Sequence, residues 1–348
     1  MTARATIVSP GELITLRHGG GGRAMRLLIE ETLAAGFADL PVDGVGLDAM
    51  DDGAALRLGD QWLVLTTDSH VVHPIFFAGG DIGRLAVAGT VNDLAMMGAT
   101  RPLGLTSAVV IEEGFRRSDL VRIRDSMLAT CREAGVAIVS GDTKVMGRGE
   151  LDGIVIATSG VGLASRLVRD CGLRPGDVIV FTGTIGDHGL ALMALRHGLA
   201  LDAPLESDVA PLNGLIARAM EAGGDGISAM KDPTRGGVAS ALHEMAGKSG
   251  VGIVIEEAEV PISPVVRSAA EMLGLDPFQI ANEGKAILGV RPEAADRVLE
   301  ALRSHPLGRE AAIVGECVAE HPGRVVLDTG FGRRLVTESD GEPLPRIC

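Results

Sequence analysis

The sequence ends on a cysteine, in the segment GEPLPRIC, so that a thiol lies beside the terminal carboxylate. No periodic pattern runs from Glu338 to this residue, Cys348, and we expect that nothing around the thiol buries it. Pro343 and Pro345 favour an extended backbone, and about eleven residues of tail span about 35 Å. The thiol is either an accident of where the chain ends or a carrier that moves a bound group into a pocket and out again.

Asp93 is a candidate site residue because of where it falls on a helix predicted over residues 81–99. It shares the apolar face of that helix, which draws its carboxylate toward the interior, where it needs a cation or hydrogen-bond donors. Asn92 beside it adds a second polar group. The alternative is a helix-end aspartate in water.

Other aspartates follow apolar strand-like segments or stand in a turn before one. Each alone is more often a turn residue or a helix N-cap than a ligand. Together, without a cationic counterpart at each, they predict a site for a divalent metal and a polyphosphate, and oxygen ligands of this kind suit Mg²⁺. They are Asp51, Asp52, Asp68, Asp142 and Asp232.

Two glycine runs complement these carboxylates, RHGGGGR at 17–23 and TRGGV at 234–238. Each leads into a predicted helix start, where backbone N–H groups can approach phosphate oxygens. Arg235 and Lys144 can neutralise phosphate charge. Either run alone is equally well explained as a hinge. With the thiol, they predict that a group carried on sulfur is activated by phosphoryl transfer.

The spacing of apolar residues predicts strands alternating with helices. In the first half the predicted strands are 62–70, 103–111, 136–142 and 153–162, and the predicted helices are 81–99 and 118–135, with Asp81 and Ser118 as N-caps. A second half of the same kind follows the turn LRPGD. The alternation predicts two α/β or α+β domains, at 1–165 and 166–337, and a mobile tail over 338–348.

Composition argues against several functions. A formal net charge of −14, 2% aromatic residues and no Tyr argue against a nucleic-acid or anionic-membrane partner. No apolar run is long enough to span a bilayer, and the N-terminus lacks the apolar core of a signal peptide. Four cysteines without metal-binding or CxxC spacing indicate a reduced, cytoplasmic protein.

Several motifs together resemble the HypE family of hydrogenase maturation proteins. They are MDDGAAL, TDS, GTVNDLAMMGATRPLG, SGDTKV, PGDVIVFTGTIGDHGLALM, KDPTRGGV, EEAEVPI, ANEGK and the terminal PRIC, and the resemblance covers nearly the whole chain. The DDGA turn and VNDLAMMGA are shared with a wider ATP-binding superfamily, which includes aminoimidazole ribonucleotide synthetase, selenophosphate synthetase and thiamine-monophosphate kinase.

The resemblance implies a homodimer in which two N-terminal sheets pair into a barrel, each chain adding a C-terminal α/β sandwich domain. ATP and Mg²⁺ are expected in a cleft near that interface. It also implies a reaction: a carbamoyltransferase, HypF, places a carbamoyl group on the terminal cysteine, and ATP drives its dehydration to a thiocyanate. The cyanide then passes to iron on a HypC–HypD scaffold complex and becomes a ligand of [NiFe]-hydrogenase.

Matching the family motifs residue by residue implies three sets of functional residues in this chain. Cys348 carries the substrate, Lys144 and Glu283 orient it and take its proton, and Arg346 guides the tail. The implied metal ligands are Asp51, Asp93, Asp142 and Asp232, with Asp52 assisting. The implied nucleotide-binding residues are Asp68, Asn92, Gly141, Asp142, Thr143, Thr234, Arg235, Gly236 and Gly237.

Two other interpretations stay open. A selenophosphate synthetase or small-molecule kinase of the same superfamily would share the acidic motifs, but selenophosphate synthetases carry a reactive Cys or Sec near the N-terminus, and no Cys here precedes Cys131. A non-catalytic maturation carrier would keep Cys348 as a docking point and would not need the carboxylates.

Overall fold

The computed structural model describes residues 13–37, 40–199, 201, 203–338 and 346–348. Two sheets, each packed against helices, make up most of this part of the chain. Its strands are β1 (Gly44–Val45), β2 (Ala54–Leu58), β3 (Gln61–His70), β4 (Phe76–Phe77), β5 (Gly80–Asp81), β6 (Pro102–Glu112), β7 (Ile138–Met146), β8 (Ile154–Ala164), β9 (Val178–Phe181), β10 (Ile227–Lys231), β11 (Gly252–Glu256), β12 (Ile287–Val290), β13 (Ala312–Val318), β14 (Val325–Asp328) and β15 (Arg333–Leu335). Its helices are α1 (Arg23–Leu28), α2 (Ile82–Met96), α3 (Arg117–Ala134), α4 (Asp187–His197), α5 (Asn213–Gly223), α6 (Gly237–Ser249), α7 (Pro264–Leu273) and α8 (Pro292–Arg303).

The N-terminal sheet has six strands in the order β1-β2-β3-β8-β6-β7. Its pairs are antiparallel except β6 with β7, which run parallel. In β8 buried residues alternate with more exposed ones along the whole strand, because successive side chains point to opposite faces of a sheet. One face packs on α2, while β7 lies exposed at the edge.

Helix α2 is the centre of this domain. Almost all of its residues are buried, since it packs against β3, β8, α3 and α5. The sequence predicts one apolar face for this helix, but the structure buries it on most sides. A helix that is apolar on most sides lies in the interior of a protein. The predicted N-cap is confirmed: the Asp81 carboxylate accepts hydrogen bonds from the backbone N–H groups of Gly83 and Arg84 at 2.8 and 2.9 Å.

The C-terminal sheet has seven strands in the order β10-β12-β9-β13-β11-β14-β15. Its strands pair antiparallel except β11 with β14. Apolar residues of α6 fill the core on one face, and those of α5 and α8 fill the core on the other. The predicted fold class, α/β in two domains with an α/β sandwich second, is confirmed.

Two local predictions need correction, and one helix was not predicted. The Ser118 cap is wrong: the Arg116 carbonyl accepts the first helical bonds, from Asp119 and Leu120 at 3.0 and 3.2 Å, so α3 starts one residue before Ser118. The strand predicted at 136–142 runs to Met146, because pairing with β6 continues that far. Helix α7 was not predicted, although Ser263 caps it and Pro264 opens it.

None of the helices in the described residues is long and apolar enough to cross a membrane.

We predict that Asp81→Ala lowers the free energy of unfolding by about 1 kcal/mol, because two N–H groups at the start of buried α2 lose their acceptor. Chemical denaturation measures the change. Asp81→Asn is the matched control, since its amide oxygen can cap the same groups and should recover most of the loss. Equal destabilisation by both variants would contradict a capping role.

Candidate active site

Four of the predicted carboxylates meet in the cleft between the two domains. Asp68 comes from β3, Asp93 from α2, Asp52 from the turn before β2, and Asp232 from the end of β10. Thr66 holds two of these elements together, since its hydroxyl lies 2.7 Å from the Asp93 carboxylate and 3.2 Å from the Asp52 backbone carbonyl. The convergence expected of aspartates at strand ends is thus present in the structure.

The electrostatics of this cluster show an excess of negative charge. Burial and then the neighbouring Asp232 and Asp68 raise the pKa of Asp93 well above its usual range. Burial, followed by Asp52, raises the pKa of Asp232 to about 8. Crowded carboxylates without water favour the protonated form, because each disfavours the charge of the next. A cation in the cleft would reverse these shifts.

Asp68 differs from the other members of the cluster. Burial opposes its ionisation, but His70, whose Nε2 lies 3.1 Å from the Asp68 carboxylate, lowers the pKa of Asp68 to about 2. Gly89 of α2 makes room for this pair: a Cβ at that position would lie 2.9 Å from His70 Nε2 and 3.3 Å from Asp68 Oδ2. Only glycine, which has no Cβ, allows this close approach of the helix to the pair.

Two cations already neutralise the acidic turn before β2. Lys231 Nζ lies 2.6 Å from Asp52, and Arg169 Nε lies 2.9 Å from Asp51. Although burial opposes it, Asp52 and then Glu244 raise the pKa of Lys231 well above its usual range, so this lysine stays charged. The sequence does not predict either contact, because both cations come from segments far from residues 51–52.

These contacts change the expected roles of the two turn aspartates. Both carboxylate oxygens of Asp51 have partners, Arg169 and the backbone N–H of Asp170. Oδ2 of Asp52 and Oδ2 of Asp232 are buried and have no hydrogen-bond partner. Asp52, expected only to assist, is therefore placed better than Asp51 to bind a ligand in the cleft.

The cluster fits a divalent cation, because buried carboxylate oxygens without partners and raised carboxyl pKa values both call for added positive charge. No group of three His, Cys, Asp or Glu side chains in the described residues is already arranged around a metal position. The donor set therefore suits an ion that keeps several waters and arrives with phosphate oxygens, as Mg²⁺ does.

The two glycine runs lie against each other beside this cluster. A Cβ on Gly21 would lie 2.4 Å from the Cβ of Arg235, and one on Gly236 would lie 3.1 Å from the Gly21 carbonyl oxygen. Gly236 has a left-handed backbone, with φ of 79°, and is the N-cap of α6. A cavity of about 320 Å³ opens there and contains Gly21, Asp232, Thr234 and Arg235 in its lining. A helix start, an arginine and close backbone are suited to phosphate.

The last residues of the chain lie inside the protein. Ile347 is 2% exposed and Cys348 is 8% exposed, and both belong to the core that surrounds α2. The expectation that nothing would bury Cys348 is wrong, because the cleft between the domains receives it. Residues 339–345, which include Pro343 and Pro345, lie outside the described residues, so the predicted mobility of the tail is untested.

The thiol of Cys348 lies against the Glu283 carboxyl. Burial and this contact raise the pKa of the thiol well above its usual range, although Arg235 opposes the shift. Burial, followed by Asp232 and Asp68, raises the pKa of Glu283 as well. The structure thus brings together Cys348 and Glu283, two of the three expected catalytic residues, and places them next to the carboxylate cluster.

Lys144 does not join them within one chain. Lys144 lies on exposed β7, where its Nζ is 2.9 Å from Asp142, and the two side chains are 68% and 64% exposed. The register links Ser69, beside Asp68, through β8 and β6 to Asp142, so three strand spacings, about 14 Å, separate them. Gly141 and Thr143 lie on the same exposed strand. The single site expected for all these residues is therefore divided within the chain.

Asn92 also has a role other than the expected one. Its side-chain NH₂ donates to the backbone carbonyls of Ala210 and Glu283 at 3.1 and 3.2 Å, and its oxygen accepts from Leu212 N–H at 2.7 Å. With these bonds made, the amide connects α2 to the Glu283 segment instead of facing a nucleotide. It acts on the site by fixing the backbone of Glu283.

Comparison with known proteins identifies both domains. Residues 50–164 match the N-terminal domain of AIR synthase related proteins, and residues 174–328 match their C-terminal domain. The carbamoyl dehydratase HypE of Rhizobium leguminosarum bv. viciae is 49% identical over 96% of this chain and 95% of its own.

Two solved structures show the same fold. A HypE in the HypE–HypF complex is 46% identical, with a TM-score of 0.83 over 90% of this chain and 99% of its own. A HypE in complex with ATP is 42% identical, with a TM-score of 0.80 over 97% of this chain and the whole of that one.

Two matched domains with an acidic cleft between them define an AIR synthase related protein. Within that class, identity of 42–49% over nearly the full length of the HypE proteins is decisive. The chain belongs to the HypE family.

We predict that Asp232→Asn stabilises the metal-free protein, and does so more at pH 8 than at pH 6. The folded-state pKa of about 8 lies above the ordinary value near 4, so the folded protein keeps a proton that the unfolded chain has lost. Stability is therefore lost as the pH rises through that interval, and an amide removes the loss. Thermal melting in EDTA at both pH values measures the effect.

Asp60→Asn, in the exposed β2–β3 turn, is the control for removal of one carboxylate. Added Mg²⁺ should raise the melting temperature of the wild type more than that of Asp232→Asn. If Asp232→Asn and Asp60→Asn change the melting temperature equally at both pH values, the buried-charge interpretation is contradicted.

Proposed function

We propose that this protein is an ATP-dependent carbamoyl dehydratase that acts on its own Cys348. An S-carbamoyl group on that sulfur is dehydrated to a thiocyanate, which supplies cyanide for the iron of [NiFe]-hydrogenase. The single observation that carries the proposal is the position of the Cys348 thiol, which lies in the cleft against Glu283 and beside the cluster of aspartates.

The chemistry requires a better leaving group than an amide oxygen. Transfer of the γ-phosphoryl of ATP to the thiocarbamate oxygen forms an O–P bond and releases ADP. Loss of the N–H protons then forms the C≡N bond as the C–O bond breaks, and phosphate leaves. The sum is S–C(O)NH₂ plus ATP to S–C≡N, ADP and phosphate, and no oxidant or reductant is needed.

Glu283 is placed to accept a proton from the carbamoyl nitrogen. The carboxyl touches the sulfur position, and its raised pKa makes its anion a stronger base than an ordinary glutamate. Asp208 holds it there, because the Asp208 carboxylate accepts a hydrogen bond from Glu283 N–H at 3.0 Å and binds Lys285 Nζ at 3.0 Å. Lys285, two residues after Glu283 in the NEGK motif, therefore supports the base.

Phosphates would lie at the start of α6, against Thr234, Arg235, Gly236 and Gly237. Asp52, Asp93 and Asp232 would hold Mg²⁺, which, when bound, offsets the charge of the transferring group. The aspartates themselves keep that position polar and exclude anions that arrive without a cation. Asp68, paired with His70, stays ionised beside them.

The raised pKa of the docked thiol implies that the tail leaves the cleft to be loaded. A thiol attacks an acyl donor as the thiolate, and burial disfavours that form here. HypF is the proposed donor partner and would meet the tail outside, while a HypC–HypD complex would take the cyanide. All four cysteines are free thiols, which suits a reducing compartment, the cytoplasm.

A second copy of the chain is the proposed partner of β7. Val139 and Val145 on this edge strand are 68% and 70% exposed, and an apolar edge strand invites pairing with another chain. Such pairing would cover these side chains and carry Lys144 and Asp142 toward the cleft of the other copy. The proposed homodimer thereby supplies the third catalytic residue that one chain leaves outside.

We predict a mass gain of one carbamoyl group on the Cys348 peptide after incubation with HypF and its carbamoyl donor. Mg²⁺-ATP should then remove one water from that peptide, because dehydration requires phosphoryl transfer. Intact and peptide mass spectrometry follow both steps. In Asp93→Asn the first step should persist and the second should fail. An unmodified Cys348 in a protein that still phosphorylates a small molecule would refute the proposal in favour of a superfamily kinase.

We predict that mixing Lys144→Ala with Glu283→Gln chains restores activity that neither variant has alone. If each site takes Lys144 from one chain and Glu283 from the other, a mixed dimer holds one intact site. Random exchange then gives about one quarter of wild-type activity. Single-turnover dehydration of carbamoylated Cys348 is the readout. Mixing each variant with chains that carry both substitutions is the control, and no restoration in the first mixture would place Lys144 in its own chain's site.

A further inference from the structure

His188, at the start of α4, is a buried histidine to which the proposed chemistry assigns no role. Its side chain is completely buried, and its ring meets Phe77 edge to face, with centroids 5.6 Å apart. Burial lowers the pKa of His188, so the ring is neutral and has one donor and one acceptor nitrogen. Its two hydrogen-bond partners determine which is which.

The partners of His188 are the docked tail and Ser207. Nε2 lies 2.8 Å from the backbone carbonyl oxygen of Ile347, and Nδ1 lies 2.7 Å from Ser207 Oγ. A carbonyl oxygen can only accept, so Nε2 carries the proton and Nδ1 accepts from the Ser207 hydroxyl. Ser207 Oγ also accepts from Val209 N–H at 3.1 Å, which leaves the hydroxyl proton free to point at the ring.

Two consecutive residues, Ser207 and Asp208, bind His188 and the proposed base Glu283 respectively. Ser207 orients the ring, and the next residue, Asp208, accepts the hydrogen bond from Glu283 N–H. The start of α4 is also joined to the segment just before Glu283, since Gly189 N–H donates to the Ala281 carbonyl at 3.1 Å. The carbonyl just before Cys348 and the carboxyl that meets its sulfur are thus fixed by adjacent residues.

The backbone and the side chain of Arg346 give the tail further contacts. The Arg346 carbonyl accepts from His73 N–H at 3.1 Å and from Arg196 Nη2 at 2.5 Å. The Arg346 guanidinium, expected to guide the tail, forms an ion pair with Asp152 in the first domain. These bonds hold residue 346, two positions from the sulfur. The hydrogen bond from His188 is to the carbonyl of Ile347, the residue next to Cys348.

We propose that His188 is a positioning residue: its Nε2–H binds the Ile347 carbonyl and, through Ser207 and Asp208, fixes the register between the Cys348 sulfur and Glu283. This inference rests on the proposed function for its purpose and on the contacts above for its geometry. Without the bond the tail still enters the cleft, but it spends less time docked, and the sulfur is no longer held at Glu283.

Two substitutions of similar chemistry separate this role from general stability. In His188→Gln the side-chain amide nitrogen reaches the position of Nε2 and can donate to the Ile347 carbonyl. In His188→Asn the amide is shorter, reaches only the position of Nδ1 and leaves that carbonyl without its donor. Both variants bury one neutral amide in place of the ring, so their difference isolates the tail bond.

The experiment is alkylation of the full-length protein by iodoacetamide, without ATP or any partner, with the rate at each cysteine followed by peptide mass spectrometry. Docking protects Cys348, so loss of one hydrogen bond should speed its alkylation about tenfold in His188→Asn. His188→Gln should stay within about threefold of the wild type. Cys131, buried at 6% exposure beside α2, reports general opening of the fold and should not change.

Equal rates at Cys348 in wild type and His188→Asn, or equal acceleration by both substitutions, would overturn the proposal. A parallel rise at Cys131 would also overturn it, since His188 would then stabilise the whole fold. Because labelling needs no turnover, its outcome is independent of whether the dehydratase function is correct. If that function holds, His188→Asn should slow dehydration of carbamoylated Cys348 while its loading by HypF is unchanged or faster.

Discussion

The cleft is governed by a crowding of carboxylates that exceeds the cations available to them. Lys231 and Arg169 neutralise Asp52 and Asp51, while Asp93 and Asp232 are left to burial and to each other. Such an arrangement costs folding free energy that the rest of the structure must offset, and a ligand of opposite charge would recover that free energy on binding. The ligand-free protein therefore contains an unfavourable electrostatic interaction between carboxylates, which binding of a cation would relieve.

The scaffold is built to tolerate this cost. Helix α2 carries Asn92 and Asp93 through the most deeply buried part of the first domain, and packing on several sides fixes it. Asn92 then links α2 to the second domain, because its side-chain NH₂ donates a hydrogen bond to the backbone carbonyl of Glu283. A carboxyl that must meet a sulfur is positioned more precisely when it is held by well-packed elements.

The sequence predicts the features of this structure that neighbouring residues determine, and it does not predict the contacts between residues far apart in the chain. The N-cap at Asp81, the glycine before α6 and the strand-end positions of Asp68 and Asp232 are local and were predicted correctly. Burial of Cys348 was not, because its anchors His188 and Arg196 lie about 150 residues earlier and nothing in the tail marks them. The same holds for Lys231, whose partner Asp52 lies 179 residues away.

Lys144 shows a different limit. Its motif, SGDTKV, predicts that it belongs to a set of functional residues, yet one chain places it on an exposed edge strand, apart from Cys348 and Glu283. A sequence motif predicts which residues act together, but it does not say whether they lie near one another in one chain. Under the proposed homodimer, Lys144 would reach a site from a second copy, a position that one sequence does not predict.

The docked tail has a kinetic consequence. A reacting group carried on the enzyme's own backbone meets the site at an effective concentration set by the tether, which for short flexible linkers is on the order of millimolar and does not fall on dilution. Saturation in the usual sense then does not apply, and no free analogue competes unless it exceeds that local concentration. Each molecule completes one turnover per loading, so cyanide cannot be produced faster than the loading enzyme supplies carbamoyl groups.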